Sequence, residues 1–454
     1  INTMSKTIVL KKGLNIPVKG EAGLALNKTV QPATVAIRPC EFKGLLPRLL
    51  VREGDAVLAG SPVLSDKKNP DILIASPVSG TVKQVVRGEK RKLLAVLIEA
   101  DQEQKYFDFG AKSAASLDAD QVKAELLRSG LWAWMIQRPY GIIANPATQP
   151  KAIFVSAFDS APLAADSALC FGAETAAIQA AIDALAKIAE VHVSFDAKTY
   201  SGSSFEKLTG CTKHFFEGKH PAGNVGVQIS HISPIRKDEI VWTVSLLGLA
   251  AIGRLFLKGR YDVSRKVAIC GPMAIEPCYI KSVPGMPVKA IQGHYGTCTE
   301  DIRIVSGSIL TGEAVGTEGY LGFYDNQISV LREGVEPELF GWIRPLRYKQ
   351  FSTDHTYFSW LTPWRKYDLD TCLHGGPRAF IMNDNYYAKV LPMDIYPLYL
   401  VKACLAGDIE KMEKFGIYEV LPEDLALCEY VDPSKNYIQD IVAKGIDLML
   451  KEMA

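Results

Sequence analysis

Closely spaced cysteines are missing from this sequence. The nine cysteines are scattered over 454 residues and none lies two or three residues from another, which excludes a zinc finger and a local iron–sulfur ligand set. Long apolar runs are missing as well. The longest, Ile240 to Gly253, is shorter than the roughly 20 residues that cross a bilayer and indicates a buried helix. Scattered cysteines without an N-terminal signal sequence predict a cytoplasmic protein.

An excess of charge of either sign is also missing. The formal net charge is +1, so there is no electrostatic reason to expect nucleic acid as a partner. A hydrophobic content of 48% and a charged content of 22% are typical of a soluble globular protein, and this length predicts three or four domains. Charge is uneven along the chain, basic in the first domain and acidic near the C terminus. This pattern indicates either two solvated faces or a docking face for another subunit.

The segment from Val51 to Glu99 is a series of short apolar strands separated by Gly, Asn and Pro turns. Its pattern, E-G-D-x-V-x-x-G-x-x-L, a charged hairpin and then S-P-x-S-G-x-V, is similar to the barrel-sandwich hybrid of biotinyl and lipoyl carrier domains. In carriers of that kind a Lys at the hairpin tip receives the cofactor. Lys67 and Lys68 occupy the tip here, either as attachment sites or as two solvated lysines, and the Met pair that flanks the Lys of biotin carriers is absent.

Residues 106–260 predict an open α/β domain of Rossmann type. The predicted elements are a helix Leu117–Ser129, a strand Ala152–Val155, a helix Thr175–Ala189, a strand Val191–Phe195 and a strand Val225–Ile229. The turn after the first of these strands, Ser156 to Pro162, has no glycine that would let a pyrophosphate approach the backbone. The topology favours nucleotide binding, and the composition of the turn argues against it.

The remaining chain predicts two further units. Strands within Val267–Ile309 favour a small β-grasp domain, followed by a glycine-rich connector, Gly312–Gly322, and a loop-rich passage from Val330. The last part predicts helices at Leu398–Leu405, Ile409–Phe415, Glu423–Cys428 and Tyr437–Met453, which would pack as a small bundle.

Eight segments together resemble one family. They are KKGLNIPVKG, IRPCEFKGLLPRLLVREGDAV, SGLWAWMIQRPY, HPAGNVG, SGSILTG, ISVLREGVEPELFGWIRP, NDNYYAKVLPMDIYPLYL and PEDLALCEYVDPSKNY. The resemblance is to the NqrA family, which belongs to the bacterial sodium-translocating NADH:quinone oxidoreductases (Na+-NQR), over nearly the whole chain. It implies a multidomain α/β protein with a barrel-sandwich hybrid at 4–105, a Rossmann-like domain at 106–260, a β-grasp domain of the SLBB type at 261–330, and a loop-rich segment with C-terminal helices at 331–454.

The resemblance extends to flavin- and cluster-bearing subunits of related electron-transport complexes, and three of their features are missing here. Their Gly-rich flavin loop is replaced by LWAWMIQRPY, in which Trp132, Trp134 and Met135 would fill the space of a cofactor. Their E-x-E-P turn is replaced by the turn with Phe158, and their C-x-x-C-x-x-C set is reduced to Cys428. The resemblance therefore implies no redox cofactor on this chain, with NADH, flavins and iron–sulfur centres on partner subunits.

The role implied by the family is a subunit on the cytoplasmic side of the inner membrane, peripheral to it through membrane subunits, and associated with quinone as substrate. The family's quinone-associated segments match residues 33–43 and 137–143. Aromatic rings there could supply a flat apolar contact, and basic side chains could donate to the two carbonyls. The candidate residues are Val35, Ile37, Arg38, Pro39, Phe42, Lys43, Trp132, Trp134, Arg138, Pro139 and Tyr140. The alternative is that Arg38-Pro39 and Arg138-Pro139 pack the interface between the first two domains, and the aromatic cluster is core.

Other functions stay open at this point. His220 and His231 could protonate reduced quinone, or each could be a hydrogen-bonded structural histidine. A carrier module of a transferase would need a modified Lys67 or Lys68, a free-standing flavoprotein reductase would need bound flavin, and a purely structural docking subunit would need neither. The residues do not distinguish ubiquinone from menaquinone.

Overall fold

The computed structural model describes residues 7–296, 301–334, 338–341, 347–353, 358–373 and 382–452. Residues 4–6 of the predicted first domain, Cys298, parts of the loop-rich passage after Val330, and Met453 of the last predicted helix lie outside these ranges.

Within residues 7–100, which the structure describes, the chain forms nine strands. They are β1 (Ile8–Val9), β2 (Leu26–Thr29), β3 (Thr34–Ile37), β4 (Pro47–Leu49), β5 (Ala56–Val57), β6 (Pro62–Asp66), β7 (Leu73–Ala75), β8 (Gly80–Arg87) and β9 (Leu93–Ala100). Strands β3, β9, β8 and β5 form one sheet, and β4, β6 and β7 form a second. The apolar residues of both sheets, among them Val35, Val63, Val82 and Val96, share one core. Two small sheets that share one core agree with the predicted barrel-sandwich hybrid.

Two of these strands leave the first domain. Strand β1 pairs in parallel with Phe216 and Glu217 of a strand in the second domain, and β2 pairs with the sheet of the third. Short strands with few neighbours of their own gain pairing at the edges of larger sheets. The N-terminal segment thus ties the first three domains together.

The second domain is a doubly wound α/β unit. Its elements are α1 (Ala119–Arg128), β10 (Ile136–Arg138), β11 (Ile142–Ile143), β12 (Ile153–Ser156), α2 (Ser167–Phe171), α3 (Thr175–Leu185), β13 (Val191–Asp196), β14 (Thr212–Glu217), α4 (Val225–Ile232), β15 (Val241–Thr243) and α5 (Leu246–Lys258). The strand order is β1-β14-β13-β12-β15-β10-β11, parallel from β1 through β15. Alternate residues of β12 point to opposite faces, since Ile153 shares a core with α3 and α5 while Phe154 shares one with Ile229 of α4.

The β-α-β prediction in this domain is confirmed, because β12, α3 and β13 occupy the predicted places and the two strands pair in parallel. The predicted strand Val225–Ile229 is wrong, because those residues begin α4. A short apolar run fits either element, and the parallel connection from β14 to β15 requires a crossover helix. The predicted helix Ile240–Gly253 is also partly wrong: its start is β15, and Ser245 caps α5 by accepting from Gly248 N at 3.2 Å.

The third domain is built on a six-stranded sheet in the order β19-β18-β20-β16-β17-β2. Its own strands are β16 (Arg265–Cys270), β17 (Cys278–Ser282), β18 (Ile302–Ser306), β19 (Glu313–Ala314) and β20 (Gln327–Arg332). Strand β20 lies between β18 and β16 and is buried from Gln327 to Leu331, so the loop-rich passage does not begin until after it. The SLBB-type β-grasp assignment stays a prediction.

The C-terminal part contains the helices α6 (Asp384–Val390), α7 (Pro397–Ala406), α8 (Ile409–Phe415), α9 (Ala426–Val431) and α10 (Ile438–Glu452). Helices α7, α8 and α10 occupy predicted positions. The predicted helix Glu423–Cys428 is instead a 3-10 turn, Pro422–Leu425, followed by α9. Leu10, Ile16 and Val18 of the N-terminal segment share a core with Leu400 and Ile446, so that segment also holds the C-terminal helices. A separate helical bundle stays a prediction.

Within the described residues, one continuous helical stretch, Ser167–Leu185, has the length and apolar composition of a membrane-spanning helix. It includes α2, the 3-10 turn Gly172–Glu174 and α3. Ile178 and Ile182 on α3 are buried in the core of the α/β domain. We interpret the stretch as a core helix of that domain.

Candidate functional site

A cavity of about 570 Å³ lies where the four parts of the chain meet. Ser156 at the end of β12 and Thr243 at the end of β15 form part of its wall. Strand β12 connects onward to β13 on one side and has β15 on the other. The cavity therefore lies outside the carboxyl ends of the strands at the point where the strand order reverses, which is where ligands bind in open α/β sheets.

Three of the predicted site residues line this cavity: Lys43, Trp134 and Arg138. The two predicted segments are therefore brought to one place, because Glu41 and Lys43 come from the first and Arg138 and Gly141 from the second. The eight other candidates lie outside the cavity wall. They are Val35, Ile37, Arg38, Pro39, Phe42, Trp132, Pro139 and Tyr140.

Arg138 is the charge centre of the site. Strand β10 places its guanidinium 2.9 Å from Asp424 Oδ2 and 2.8 Å from Glu423 Oε1. Burial alone would lower the pKa of Arg138, but the charges of Asp424 and Glu423 outweigh it and raise that pKa. The side chain does pack an interface, as the alternative interpretation proposed, although its partners lie beside the C-terminal helices and not in the first domain.

The aromatic residues of the two segments pack against the third domain. The Phe42 and Phe323 rings are 4.8 Å apart, and Trp134 lies edge-on to Tyr324 at 5.3 Å. Tyr324 donates to the carbonyl of Ala133 at 2.7 Å. Offset and edge-on ring pairs of this kind add stability beyond the area that they bury. Phe42 and Trp134 are almost completely buried, so they join the first three domains.

Trp132 belongs to the core of the α/β domain. It is completely buried, its Nε1 donates to Ala144 O at 2.7 Å, and its ring meets Trp242 edge-on at 5.3 Å. A buried indole with a satisfied N–H has no group left to offer a ligand. Tyr140, at the other end of the same segment, is half-buried and packs edge-on against Tyr418 at 6.5 Å.

A carboxyl group missed by the sequence analysis lies between two predicted residues. Glu41 ends the 3-10 turn Pro39–Glu41 and accepts from Arg38 Nε at 3.0 Å, while Arg38 also pairs with Glu313 of the third domain at 2.9 Å. Burial raises the pKa of Glu41 to about 7, although Arg38 opposes the shift. The only sequence signal was its place between Arg38 and Lys43. The charges of Asp325 and Glu313, which belong to another domain, also raise the pKa of Glu41.

Glu41 predicts a pH dependence of folding. Its folded pKa lies above the 4.5 of an exposed Glu, so the folded protein holds a proton that the unfolded chain has released. This contribution is fully present below about pH 4.5 and is lost as pH rises through about 7. Between pH 5 and 8, the free energy of unfolding of the wild type should therefore fall by on the order of 2 kcal/mol through this group. Glu41→Gln should abolish that fall. Urea titration at each pH measures the free energy of unfolding of both proteins.

The matched control is Glu318→Gln, which removes a carboxylate that pairs with Lys289 from a position where its side chain is 81% exposed. It should leave the pH slope of the wild type unchanged. Equal slopes for Glu41→Gln and the wild type would rule out a protonated Glu41 in the folded state.

His220 also lines the cavity. The imidazole is buried, its Nδ1 lies 3.1 Å from Ser160 Oγ, and the His220 backbone N–H donates to Asn15 Oδ1 at 2.9 Å. Burial lowers the pKa of His220 to about 4, so at neutral pH the ring is uncharged. His231, near the C-terminal end of α4, lies outside the cavity wall with Nδ1 2.9 Å from Val227 O. Both histidines have structural contacts.

Two further predictions concern other parts of the molecule. Lys67 and Lys68 are exposed between the paired strands β6 and β7, and the Lys67 backbone N–H donates to Leu46 O. The hairpin is therefore accessible at its tip, as a carrier lysine would require. No group of three or more His, Cys, Asp or Glu side chains is arranged to hold a metal ion among the residues that the structure describes.

Comparison with protein families gives two matches that together span more than half of the chain. Residues 8–101 match the NqrA N-terminal barrel-sandwich hybrid domain, and residues 117–261 match the NqrA second alpha/beta domain. The predictions of a barrel-sandwich hybrid at the N terminus and an α/β domain after it are confirmed.

Comparison with curated proteins gives relatives over nearly the full length. The NqrA protein of the Na(+)-translocating NADH-quinone reductase from Yersinia pestis bv. Antiqua (strain Angola) is 36% identical over 436 residues, which cover 94% of this chain and 96% of that protein. The protein of the same name from Vibrio vulnificus (strain YJ016) is 34% identical over 448 residues, covering 98% of this chain and 100% of its own length. Among solved structures, an NAD+-reducing NiFe-hydrogenase in the air-oxidized state aligns with a TM-score of 0.34 and 10% identity, over 49% of this chain and 48% of that chain. That likeness is too low to bear on fold or function.

Proposed function

The chain belongs to the NqrA family of the Na+-translocating NADH-quinone reductases, and on that premise we propose that it contributes to the quinone site of such a translocase. In this proposal the chain lies on the cytoplasmic side, is held at the membrane by partner subunits, and carries no redox cofactor of its own. Electrons from NADH pass through flavins and iron–sulfur centres on those partners, and quinone reduction is coupled to Na+ export.

The observation that carries the proposal is the convergence of two segments on one cavity. Lys43 and Arg138 lie 95 positions apart in sequence and in different domains, yet both line the space at the switch point of the sheet. A quinone head requires donors to two carbonyl oxygens and an apolar wall. Arg138 already binds two carboxylates. Lys43 pairs with Asp447 at 3.9 Å, which is beyond hydrogen-bond distance, so its ammonium is the available donor. Trp134 and Leu421 supply apolar wall.

The proposed absence of a cofactor on this chain is based on the composition and packing of the loops of the α/β domain. The turn after β12 has no glycine, and Gly223 approaches it closely: a Cβ on Gly223 would lie 2.5 Å from Ser160 N. The Gly223 backbone N–H donates to Ser160 Oγ at 2.8 Å. The backbone at Gly223 thus packs against the turn after β12, and that turn offers no glycine backbone for a pyrophosphate to approach. The buried indoles of Trp132 and Trp134 take up space in the segment that replaces the flavin loop.

A cavity-filling variant tests the proposal. Ala161 lines the cavity, and Ala161→Phe should weaken binding of a short-tail quinone by at least about tenfold, because a phenyl ring would take part of the space for the quinone ring. Lys43→Met should weaken binding by roughly tenfold through loss of a charged donor. The measurement is saturable quenching of Trp fluorescence in the purified full-length chain, after an absorbance spectrum and an intact mass have been recorded.

Matched controls are Ala147→Phe, in an exposed loop, and Lys411→Met, which removes an exposed lysine that pairs with Asp408. Neither should change the quinone affinity. Wild-type quenching that does not saturate would overturn the quinone site on this chain and favour a structural docking subunit. Yellow protein would overturn the absence of flavin, and a mass increase on Lys67 or Lys68 would favour the carrier alternative.

A further inference from the structure

Glu41 is a carboxyl group on the wall of the cavity that the binding of a quinone leaves without a role. It lies two positions before Lys43, and both residues line the same space. Its Oε1 accepts from Arg38 Nε at 3.0 Å and from Arg38 Nη2 at 2.5 Å. Its Oε2 accepts no hydrogen bond from the residues that the structure describes. One oxygen of the carboxyl group is therefore held by the protein, and the other is available to a ligand.

The proposed reaction at this cavity requires proton donors, because reduction of a quinone to a quinol takes two electrons and two protons. Negative charge builds on the quinone oxygens as electrons arrive, so a proton donor within hydrogen-bond reach lowers the barrier. Such a donor must line the cavity, must not be committed to other hydrogen bonds, and must hold a transferable proton near neutral pH.

Other acidic side chains on the wall are committed to protein partners. Tyr324 donates its hydroxyl to a backbone carbonyl at 2.7 Å, Asp325 accepts from a serine hydroxyl at 2.6 Å, and Asp159 accepts from a backbone N–H at 2.8 Å. Glu423 is bound to Arg138. These contacts leave Glu41 as the acid on the wall with an oxygen that lacks a protein partner.

The basic groups on the wall are no better suited to give a proton. Burial lowers the pKa of His220 to about 4, so at neutral pH its ring has already lost the acidic proton. Lys43 is the charged donor that binds a quinone carbonyl in the proposed function, and Arg138 is held by its two carboxylates. Proton transfer therefore falls to Glu41.

The surroundings of Glu41 suit an acid that holds its proton at neutral pH and can release it. Burial raises the pKa of Glu41 to about 7 against the opposing charge of Arg38, and the charges of Asp325 and Glu313 add to the rise. After a proton is released, the two hydrogen bonds from Arg38 stabilise the carboxylate that remains. Three other titratable side chains interact electrostatically with Glu41: Cys40, Arg265 and Tyr324.

We propose that Glu41 is a catalytic residue, the proton donor to one carbonyl oxygen of the bound quinone. This inference rests on the proposed function, in which quinone binds in this cavity and receives its two electrons from reduced flavin or iron–sulfur centres on partner subunits. The bond between Oε2 and its proton breaks as an O–H bond forms on the quinone. The second quinone oxygen takes its proton from solvent. Glu41 also regains a proton from solvent, since its side chain is 11% exposed.

The test is NADH-driven quinone reduction by the full complex, assembled with the wild-type chain or with Glu41→Gln. Glutamine keeps the length of the side chain and an oxygen that can accept from Arg38, but it has no acidic proton. At pH 6 the substitution should lower kcat by at least about tenfold. The ratio of the two kcat values should approach one by about pH 9, because Glu41 of the wild type is then ionised as well. A purely structural defect would lower kcat at every pH.

Three further measurements accompany this test. Quinone affinity of Glu41→Gln, from Trp quenching in the full-length chain, should stay within about threefold of the wild type, because the glutamine amide can still donate to a carbonyl. Glu41→Asp, which keeps an acid, should restore part of the activity at pH 6. The matched control Glu318→Gln, which removes the exposed partner of Lys289, should leave kcat within about twofold at every pH. Thermal melting at each pH checks that the variants fold.

The possible results separate Glu41 from the proposed function. A kcat of Glu41→Gln equal to that of the wild type at pH 6, or a loss of the same size at every pH, would overturn the proton donor. Saturable quinone binding that Lys43→Met weakens would then leave the proposed function standing. A tenfold loss of quinone affinity in Glu41→Gln with unchanged kcat would also overturn the proton donor and assign Glu41 to binding. Wild-type quenching that does not saturate would overturn the proposed function, and the role of Glu41 with it.

Discussion

Replacing Arg138 by methionine should lower the free energy of unfolding by about 3–5 kcal/mol. The side chains of Arg138 and Asp424 are 2% and 0% exposed, and their charged atoms lie 2.9 Å apart. Methionine keeps most of the apolar volume, so the loss would come from the charge that remains. Asp424 would retain only the Leu421 backbone N–H, which donates at 3.0 Å, and a buried carboxylate with one donor is strongly destabilised. Urea titration monitored by Trp fluorescence measures the effect.

A second change should rescue this variant. Arg138→Met/Asp424→Asn replaces the stranded carboxylate by an amide whose oxygen can still accept from Leu421 N, and should recover at least about half of the loss. The control is Arg303→Met, which removes two hydrogen bonds to Glu333 at 2.8 and 2.7 Å from a side chain that is 44% exposed. That change should cost less than about 1 kcal/mol. An Arg138→Met variant as stable as Arg303→Met would show that Asp424 is not left unpaired.

Elements that pair with near neighbours in the sequence were predictable, whereas pairing between distant parts of the chain was not. Strands β12 and β13 were predictable because their apolar runs are separated by a strongly periodic helix. Strand β14 was missed because Thr212–Glu217 has three polar residues followed by two adjacent phenylalanines, which does not give the alternation of a strand. The partners of β1 were beyond prediction, since Ile8 pairs with Phe216 and nothing local to either residue encodes that register.

The residues of the candidate site likewise fall into those that the sequence predicted and those that it did not. Lys43 and Arg138 were found through their segments, and both line the cavity. Tyr324 was missed because it reaches the cavity from the third domain. The aromatic rings were the weakest inference. The residue type of an aromatic side chain gives its hydrophobic area but does not tell whether the ring faces a ligand or the core. The hydrogen bond from Trp132 Nε1 to Ala144 O shows that this ring belongs to the core.

Gly253→Ala should lower the free energy of unfolding by about 3 kcal/mol. Helix α5 crosses α3 at this glycine, and a Cβ placed there would lie 1.7 Å from the carbonyl oxygen of Ala177 and 2.3 Å from its carbonyl carbon. Both are backbone atoms of α3, so no side-chain rotation can relieve the overlap and the two helices must separate. Helix propensity alone predicts the opposite sign, since Ala is favoured over Gly by about 1 kcal/mol within a helix.

The control for this variant is Gly293→Ala, in the 3-10 turn Val288–His294, where an added Cβ would have no atom within 4 Å. It should stay within about 0.5 kcal/mol of the wild type. A Gly253→Ala protein at least as stable as the wild type would mean that α3 and α5 are farther apart than described. That result would also undermine the cavity, because α3 follows β12 and α5 follows β15, and these two strands bear Ser156 and Thr243 of its wall. The spacing of two helices thus tests the geometry of the site that they support.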